Sequence, residues 1–469
     1  MENILIKNGL IVNAVDTFKA DLLISQGIIA QIGPNLEHRD ASIIDAEGYY
    51  VIPGGVDVHT HLNLTANGIK VGDGFFRGTA SAAFGGTTCV VEHPGFGPAG
   101  CSLLHQVERY RKEALGQAVV DYGLHAVIQH VDEKVLDQLT DLAKKGVPSV
   151  KIYLTYDGRL NDHEILQVLD RTRRIRMLAA FHAENDAIVR FLRDKLRAEG
   201  RCAPIYHALS RPDYCEAEAI QRILHLAQAA GATEVYIVHL STALGLQAIE
   251  EARGRGLTVY AEVCPQHLLL DDSCYLEPEH GGLKYIMAPP ARKKEDCAAL
   301  WHGLETGSID VVATDHCSFN FADKLARGKE DFSKCPGGIP GVETRLPLLF
   351  SEGVLKGRLS LNRFVNVVST APARIMGLHP RKGTLAPGSD ADVVILDPEH
   401  EKTLSPATLH HNADYSPYEG MRVRGWPMAT LVRGRVVMRQ GQLLAEKGWG
   451  EYVPRQLMSE TASNKEVTI

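Results

Sequence analysis

No stretch of this sequence approaches the roughly 20 consecutive apolar residues that a membrane-spanning helix requires, so no membrane partner is expected. It also has no C-x-x-C pair. The nine cysteines are an odd number, scattered along the chain, and read as free thiols rather than a disulfide framework. There is no run of Lys or Arg, and 50 basic residues against 57 acidic ones leave a formal charge of −7. Such a surface does not favour nucleic acid or anionic lipid. Nothing before Ile4 resembles a secretory leader, which together with the thiols points to the cytoplasm. What is present is ordinary for a soluble enzyme: 45% hydrophobic and 23% charged residues, enough to bury a large core. The 469 residues suit about three domains or one large barrel with a satellite.

The texture changes along the chain. Short apolar or alternating runs separated by Asn8-Gly9, Gln26-Gly27 and Glu47-Gly48 fill the first fifty residues. The same texture returns in GTLAPGSDADVVILD (383–397) and ATLVRGRVVMRQGQLL (429–444). Each piece is too small for its own core, so residues 1–52 and 377–445 are expected to pair as one discontinuous β-sandwich. Between them, eight β-branched runs begin near 56, 87, 119, 149, 177, 234, 257 and 310, and most are separated by helical segments such as 103–116, 162–175 and 214–231. This α/β alternation predicts a parallel (β/α)8 TIM-like barrel over 53–376. An open doubly wound sheet has the same local pattern, so periodicity alone does not close the barrel. The polar tail, 446–469, is expected to be loosely held.

The residues that end these runs are informative, because barrel chemistry is built at the carboxyl ends of strands. The first run ends His59-Thr60-His61, the fourth carries Lys151, the fifth ends in His182, the sixth in His239 and the eighth in Asp315. Any one histidine among twenty is ordinary, but all six groups falling at strand ends points to a metal site. Imidazole and carboxylate donors suit zinc and related divalent ions, and six groups exceed one tetrahedral site, so two metals are expected. Two dications need a bridging anion. Lys151 provides one if its neutral amine takes up CO2 to become a carboxylated lysine, a carbamate. His93 and His130 lack an evident partner, His267, His302 and His316 read as supporting residues, and Cys317 has no partner thiol.

Taken together, GGVDVHTH, VKIYLTY, FHAEND, YIVHLS, TDHCSFNF, EVCPQHLLLD, KCPGGIPGVETR and HHNADYSPYEG resemble the cyclic amidohydrolases of the hydantoinase and dihydropyrimidinase branch, nearest its bacterial D-phenylhydantoinase members. The resemblance runs along the whole chain. It implies the barrel, the β-sandwich, a binuclear zinc centre with a carbamylated lysine, and a homotetramer. It implies that His59, His61 and Asp315 hold the more buried ion, His182 and His239 the more exposed one, and Lys151 both. Tyr156 matches a tyrosine that contacts the substrate carbonyl. Ala288 and Gly337 match two backbone contacts to substrate, at positions where the family commonly has Ser and Asn.

The implied reaction is hydrolysis of a cyclic amide by a hydroxide bridging the ions, with Asp315 as general base and then acid to the leaving nitrogen. Tyr156 would stabilise the oxyanion. Dihydroorotase-like enzymes place an Arg two residues after H-x-H to pair a substrate carboxylate; Asn63 stands there. Leu64, Phe96, Tyr153 and Leu160 offer an apolar wall, favouring 5-aryl or 5-alkyl hydantoins over dihydropyrimidines or allantoin. Non-catalytic dihydropyrimidinase-related assembly proteins share the scaffold but lack the full set of metal ligands.

Overall fold

A computed structural model of the protein describes residues 2–66 and 68–457. At its centre each β-branched run becomes a parallel strand: β1 (Gly55–Thr60), β2 (Thr87–Glu92), β3 (Asp121–Leu124, resuming at Ala126–Val127), β4 (Ser149–Tyr153), β5 (Leu178–His182), β6 (Val235–Ile237), β7 (Val259–Val263) and β8 (Val311–Val312). Neighbours pair in sequence order from β1 to β8. The last joins the first through Asp315 N–H to the His59 carbonyl (2.9 Å) and His61 N–H to the His316 carbonyl (2.8 Å). The sheet is therefore a closed barrel. Its strands are apolar throughout because interior side chains cover one face and helices the other. Among those helices are Leu103–Ala114, Asp162–Ile175 and Asp213–Ala229, as the apolar spacing predicts.

The chain ends build two further sheets. One orders Ile28–Gly33, Asp21–Ser25, Asn3–Lys7 and Ala41–Asp45; the other has seven strands, in which Tyr50–Pro53 pairs antiparallel with Val393–Thr403. Between them lies a core that includes Ile6, Leu22, Ile24, Val51, Ile395 and Leu431, contributed by both ends of the sequence. Neither end could bury its apolar face alone.

Two expectations need correction. Residues 404–421, within the stretch assigned to the sandwich, leave that sheet and lie on the barrel. There the Asn412 N–H donates to Asp73 (2.5 Å), Phe321 N–H to Asp414 (2.5 Å) and the Tyr418 hydroxyl to Gln266 (3.3 Å). The tail is not loose over its described part, 446–457. Tyr122 N–H donates to the Glu451 carbonyl (2.9 Å), Val453 N–H to the Tyr122 carbonyl (2.8 Å), and Arg455, 3% exposed, to Leu124 O and Ser149 Oγ, both at 2.6 Å. Its polar groups find buried acceptors, which composition does not reveal. The remainder of the tail lies outside the described residues.

Barrel and sandwich are tied by a buried charge cluster. Lys382 Nζ sits 2.6 Å from Asp121, 2.9 Å from Asp390 and 2.8 Å from Asp392. The three carboxylates are spaced as if for a cation, and the ammonium supplies it. Burial opposes that charge, but the carboxylates outweigh it and hold Lys382 above the ordinary lysine range. Removing one partner of a buried ionic cluster strands the others. Lys382→Met is therefore expected to lower the unfolding free energy by about 3–5 kcal/mol in a denaturant titration; an unchanged midpoint would show that the cluster contributes nothing.

Candidate metal centre and active site

The six polar residues singled out above arrive at one mouth because each lies within a barrel strand that points there, ends it, or follows it by one to three residues. Three site residues leave the strand conformation through the left-handed region: His239 at φ 39°, Asp315 at 53° and Tyr156 at 71°. For non-glycine residues this is strained, and such strain persists where the surroundings impose it.

His59, His61 and Asp315 place their donor atoms within 4.8 Å of one another. Asp315 Oδ1 is 3.2 Å from His59 Nε2 and 3.1 Å from His61 Nε2. Both imidazoles have their other nitrogen committed: His59 Nδ1–H donates to Glu262 (2.7 Å), and His61 Nδ1–H to the His93 carbonyl (3.0 Å). The nitrogens facing Asp315 are therefore lone pairs, and three acceptors converge without a proton between them. Lys151 Nζ reaches His59 Nε2 only at 3.5 Å. Such a constellation fits a cation.

The second group adjoins the first. The rings of His182 and His239 lie 4.5 Å apart, and His239 stacks on His59 at 5.4 Å. His182 Nε2–H donates to Glu184 (2.7 Å), leaving Nδ1 as its lone pair. His239 Nδ1 is buried without a hydrogen-bond partner among the described residues, an orphan that a cation would satisfy. The resemblance implied that this pair holds the more exposed ion; the two residues themselves are 2% exposed, against 8% for His61. The Tyr153 and Tyr156 rings cover His182, at 5.6 and 5.3 Å.

Burial sets the protonation. It holds His59 and His239 well below the ordinary imidazole range and lowers His182 despite its bond to Glu184. Neutral imidazoles are the form that binds metal. Burial also pulls Lys151 down to about 8 and pushes Glu262 up to about 8. His59, His182 and His239 are thus presented as neutral donors, which is what a metal site requires of imidazole ligands.

Tyr156 keeps 37% of its surface exposed, and desolvation of its hydroxyl raises its pKa, so the phenol remains a donor. Ala288 and Gly337 do not touch the cluster by hydrogen bonds. They lie on adjoining segments linked by Gly338 N–H to the Ile286 carbonyl (3.0 Å), and neither backbone is engaged among the described residues. Leu160 does not belong to the apolar wall: it is 4% exposed and packs in the main core. Phe96, 40% exposed, lies edge-on to Tyr153 at 5.0 Å. The Asn63 amide is turned to Glu113, so it offers nothing to a substrate carboxylate.

The sequence reading missed Glu262, whose carboxylate accepts from His59 Nδ1, His239 N–H (3.0 Å) and the Tyr236 hydroxyl (2.8 Å). A charged residue inside the apolar β7 run was the available signal. It also missed Glu184, two residues after His182. His93, set aside as unpaired, stacks on His125 (3.9 Å) and lies tilted against His59 (4.3 Å). His316 is a supporting residue as read, with Nε2–H donating to Asp73 (2.8 Å) and Nδ1 accepting from Gly341 and Val342 (3.0 and 3.1 Å).

A closed (β/α)8 barrel whose strand ends converge on three lone-pair donors and a carboxylate-oriented histidine defines a barrel hydrolase of the metal-dependent kind. Comparison agrees. The model of the amidohydrolase family matches residues 50–437, and the chain belongs to that family. It is 49% identical to a D-phenylhydantoinase of Escherichia coli, over 97% of this chain and 98% of that one. Among solved structures, a D-hydantoinase matches with a TM-score of 0.95 at 42% identity, covering 97% of this chain and 99% of the other. The dihydropyrimidinase of Brevibacillus agri matches with the same TM-score and coverage at 41% identity.

Glu262 fixes the His59 tautomer and the His239 backbone together. Glu262→Gln should weaken metal retention by about 10- to 100-fold, the usual cost of losing a partner behind a ligand. Metal remaining after dialysis against graded chelator measures this, and wild-type retention would remove Glu262 from the site.

Proposed function

We propose that this chain is a cyclic amide hydrolase that opens 5-substituted hydantoins carrying aryl or alkyl groups, yielding N-carbamoyl amino acids. The observation that carries the reading is the convergence of His59, His61, Lys151, His182, His239 and Asp315 on one mouth, in a chain similar along its length to D-phenylhydantoinase. We assign His59, His61 and Asp315 to one divalent ion, His182 and His239 to a second, and Lys151, carboxylated, to both. Imidazole and carboxylate donors favour zinc. When bound, the ions acidify water and polarise the ring carbonyl.

The chain's own groups do the rest. Asp315 takes a proton from the attacking water and returns it to the ring nitrogen, which cannot leave as an amide anion. The Tyr156 hydroxyl donates to the carbonyl oxygen, where negative charge develops. Free backbone groups at Ala288 and Gly337 hold the polar edge of the ring, and Phe96 and Tyr153 face its substituent. Lys151 carboxylation joins its amine nitrogen to the carbon of CO2 and releases a proton, giving an anion that would serve as a metal ligand. No described helix is long and apolar enough to cross a membrane. The family resemblance further supports a homotetramer working in the cytoplasm on a small cyclic amide.

Rates on phenylhydantoin, dihydrouracil and allantoin test the substrate class. Phenylhydantoin should be turned over fastest, and Asp315→Asn should abolish turnover while leaving the fold intact. A preference for dihydrouracil or allantoin would replace the substrate proposed; near-normal activity of Asp315→Asn would refute the mechanism.

A second test uses pH. Only the neutral amine of Lys151 attacks CO2, and with a pKa of about 8 its neutral fraction grows roughly 20-fold between pH 6.5 and 8.5. Metal-depleted protein given zinc at fixed dissolved CO2 should regain activity faster at the higher pH by about that factor. A pH-independent recovery would argue against carboxylation.

A further inference from the structure

Tyr156 holds a φ of 71°, a conformation that a tyrosine does not keep unaided. Its flanking residues are tied to a single carboxylate. Asp186 Oδ1 accepts from Thr155 Oγ1 at 3.2 Å, and Asp186 Oδ2 pairs with Arg159 Nε at 3.1 Å. Arg159 Nη1 in turn donates to the Tyr156 carbonyl oxygen at 3.0 Å. Arg190 Nε, one turn along the same helix, holds Asp186 Oδ2 at 2.7 Å, and the Asp186 side chain is only 13% exposed.

An acidic residue in the first turn of a helix is ordinarily explained by the helix dipole. Here the first turn of Asp186–Ala198 is already capped by Asn185, whose side chain accepts from the Ala187 and Ile188 N–H groups. Both oxygens of Asp186 also reach the loop after β4, with Oδ2 shared between Arg159 of that loop and Arg190 of its own helix. Asp186 also lies four residues beyond His182, whose ring Glu184 orients. One short segment, His182 to Asp186, thus carries a proposed metal ligand, its orienting partner, a helix cap and an anchor for the Tyr156 loop.

We propose that Asp186 is a positioning residue that, through Thr155 and Arg159, fixes the Tyr156 hydroxyl at a set distance from His182. This rests on the reading of Tyr156 as the donor to the substrate carbonyl. A donor aimed at the developing oxyanion matters more in the transition state than in the bound ground state. Loosening it should therefore act on kcat rather than KM.

The test is a double-mutant cycle on the full-length, zinc-loaded enzyme with phenylhydantoin. Asp186→Ala should lower kcat by roughly 10- to 100-fold, the scale of a misplaced catalytic group, with KM changed by no more than about threefold and metal content unchanged. In a Tyr156→Phe background, where no hydroxyl remains to be placed, the same substitution should change kcat by less than about twofold. An equal loss in both backgrounds, or no loss from Asp186→Ala, overturns the positioning role while leaving Tyr156 in place. Full activity of Tyr156→Phe overturns the role of Tyr156 and the positioning role with it. Arg159→Met, at a residue 40% exposed, should act in the same direction more weakly, and it decides the matter if Asp186→Ala does not fold.

Discussion

The seam between β8 and β1 carries the chemistry of this barrel. β8 contributes only Val311–Val312 to regular pairing, so side chains complete the closure. Asp57 accepts from Thr314 Oγ1 at 2.6 Å, from Thr314 N–H at 3.2 Å and from His59 N–H at 3.3 Å. Below it, the buried Arg345 guanidinium donates to the carbonyls of Val56 and Val312 at 3.0 and 2.8 Å and to Thr87 Oγ1 at 3.0 Å. One carboxylate and one guanidinium thus register the first strand against the last. His59 and His61 come from one side of the seam and Asp315 from the other. A slip of one residue in β1 would turn both imidazoles away from the mouth, since side chains alternate along a strand. The ligand distances are a consequence of this register.

Three buried lysines show how surroundings, not burial alone, decide what an amine becomes. Lys382 faces three carboxylates and stays charged. Lys324 donates to the carbonyls of Ile286 and Pro336 at 2.8 and 3.0 Å, and burial lowers its pKa. Lys151 has neither: it meets an imidazole nitrogen at 3.5 Å and lies over the Tyr153 ring at 5.3 Å. An amine that Asp315 and Glu262 attract only from beyond hydrogen-bond reach, desolvated until about half neutral near pH 8, is the one of the three suited to reaction.

Much of this was legible in the sequence, for a physical reason. Strands buried on both faces must be apolar, so a His, Lys or Asp ending such a run stands out against it. That made the eight strands and the six polar groups readable. Glu262 was less so, because a single glutamate within VYAEVC does not reveal which three donors will surround it. Residues 404–421 were misplaced because their turn-rich composition is equally suited to a sandwich loop and to a segment draped over a barrel. The described tail was misread for a similar reason: Arg455 looks like a solvent residue until Leu124 and Ser149 supply buried acceptors. Leu160 was an apolar residue after a strand, and nothing local distinguishes a pocket wall from core.

The left-handed residues at the mouth connect these points. Each costs of order 1–3 kcal/mol, and each must be held by bonds from surrounding residues. Asp315 is held by its N–H to the His59 carbonyl at 2.9 Å, and the turn at His239 by Glu262, which accepts its N–H at 3.0 Å. Tyr156 is held by Arg159 on its carbonyl. At Asp315 and His239 the partner sits on a neighbouring strand, and at Tyr156 it sits three residues along the same loop, where Arg159 is itself tied to Asp186 on the next helix. A cluster fixed in this way is held by the strands and loops that carry it. Its geometry is set when the barrel closes, which is why the residues behind the ligands matter as much to the site as the ligands do.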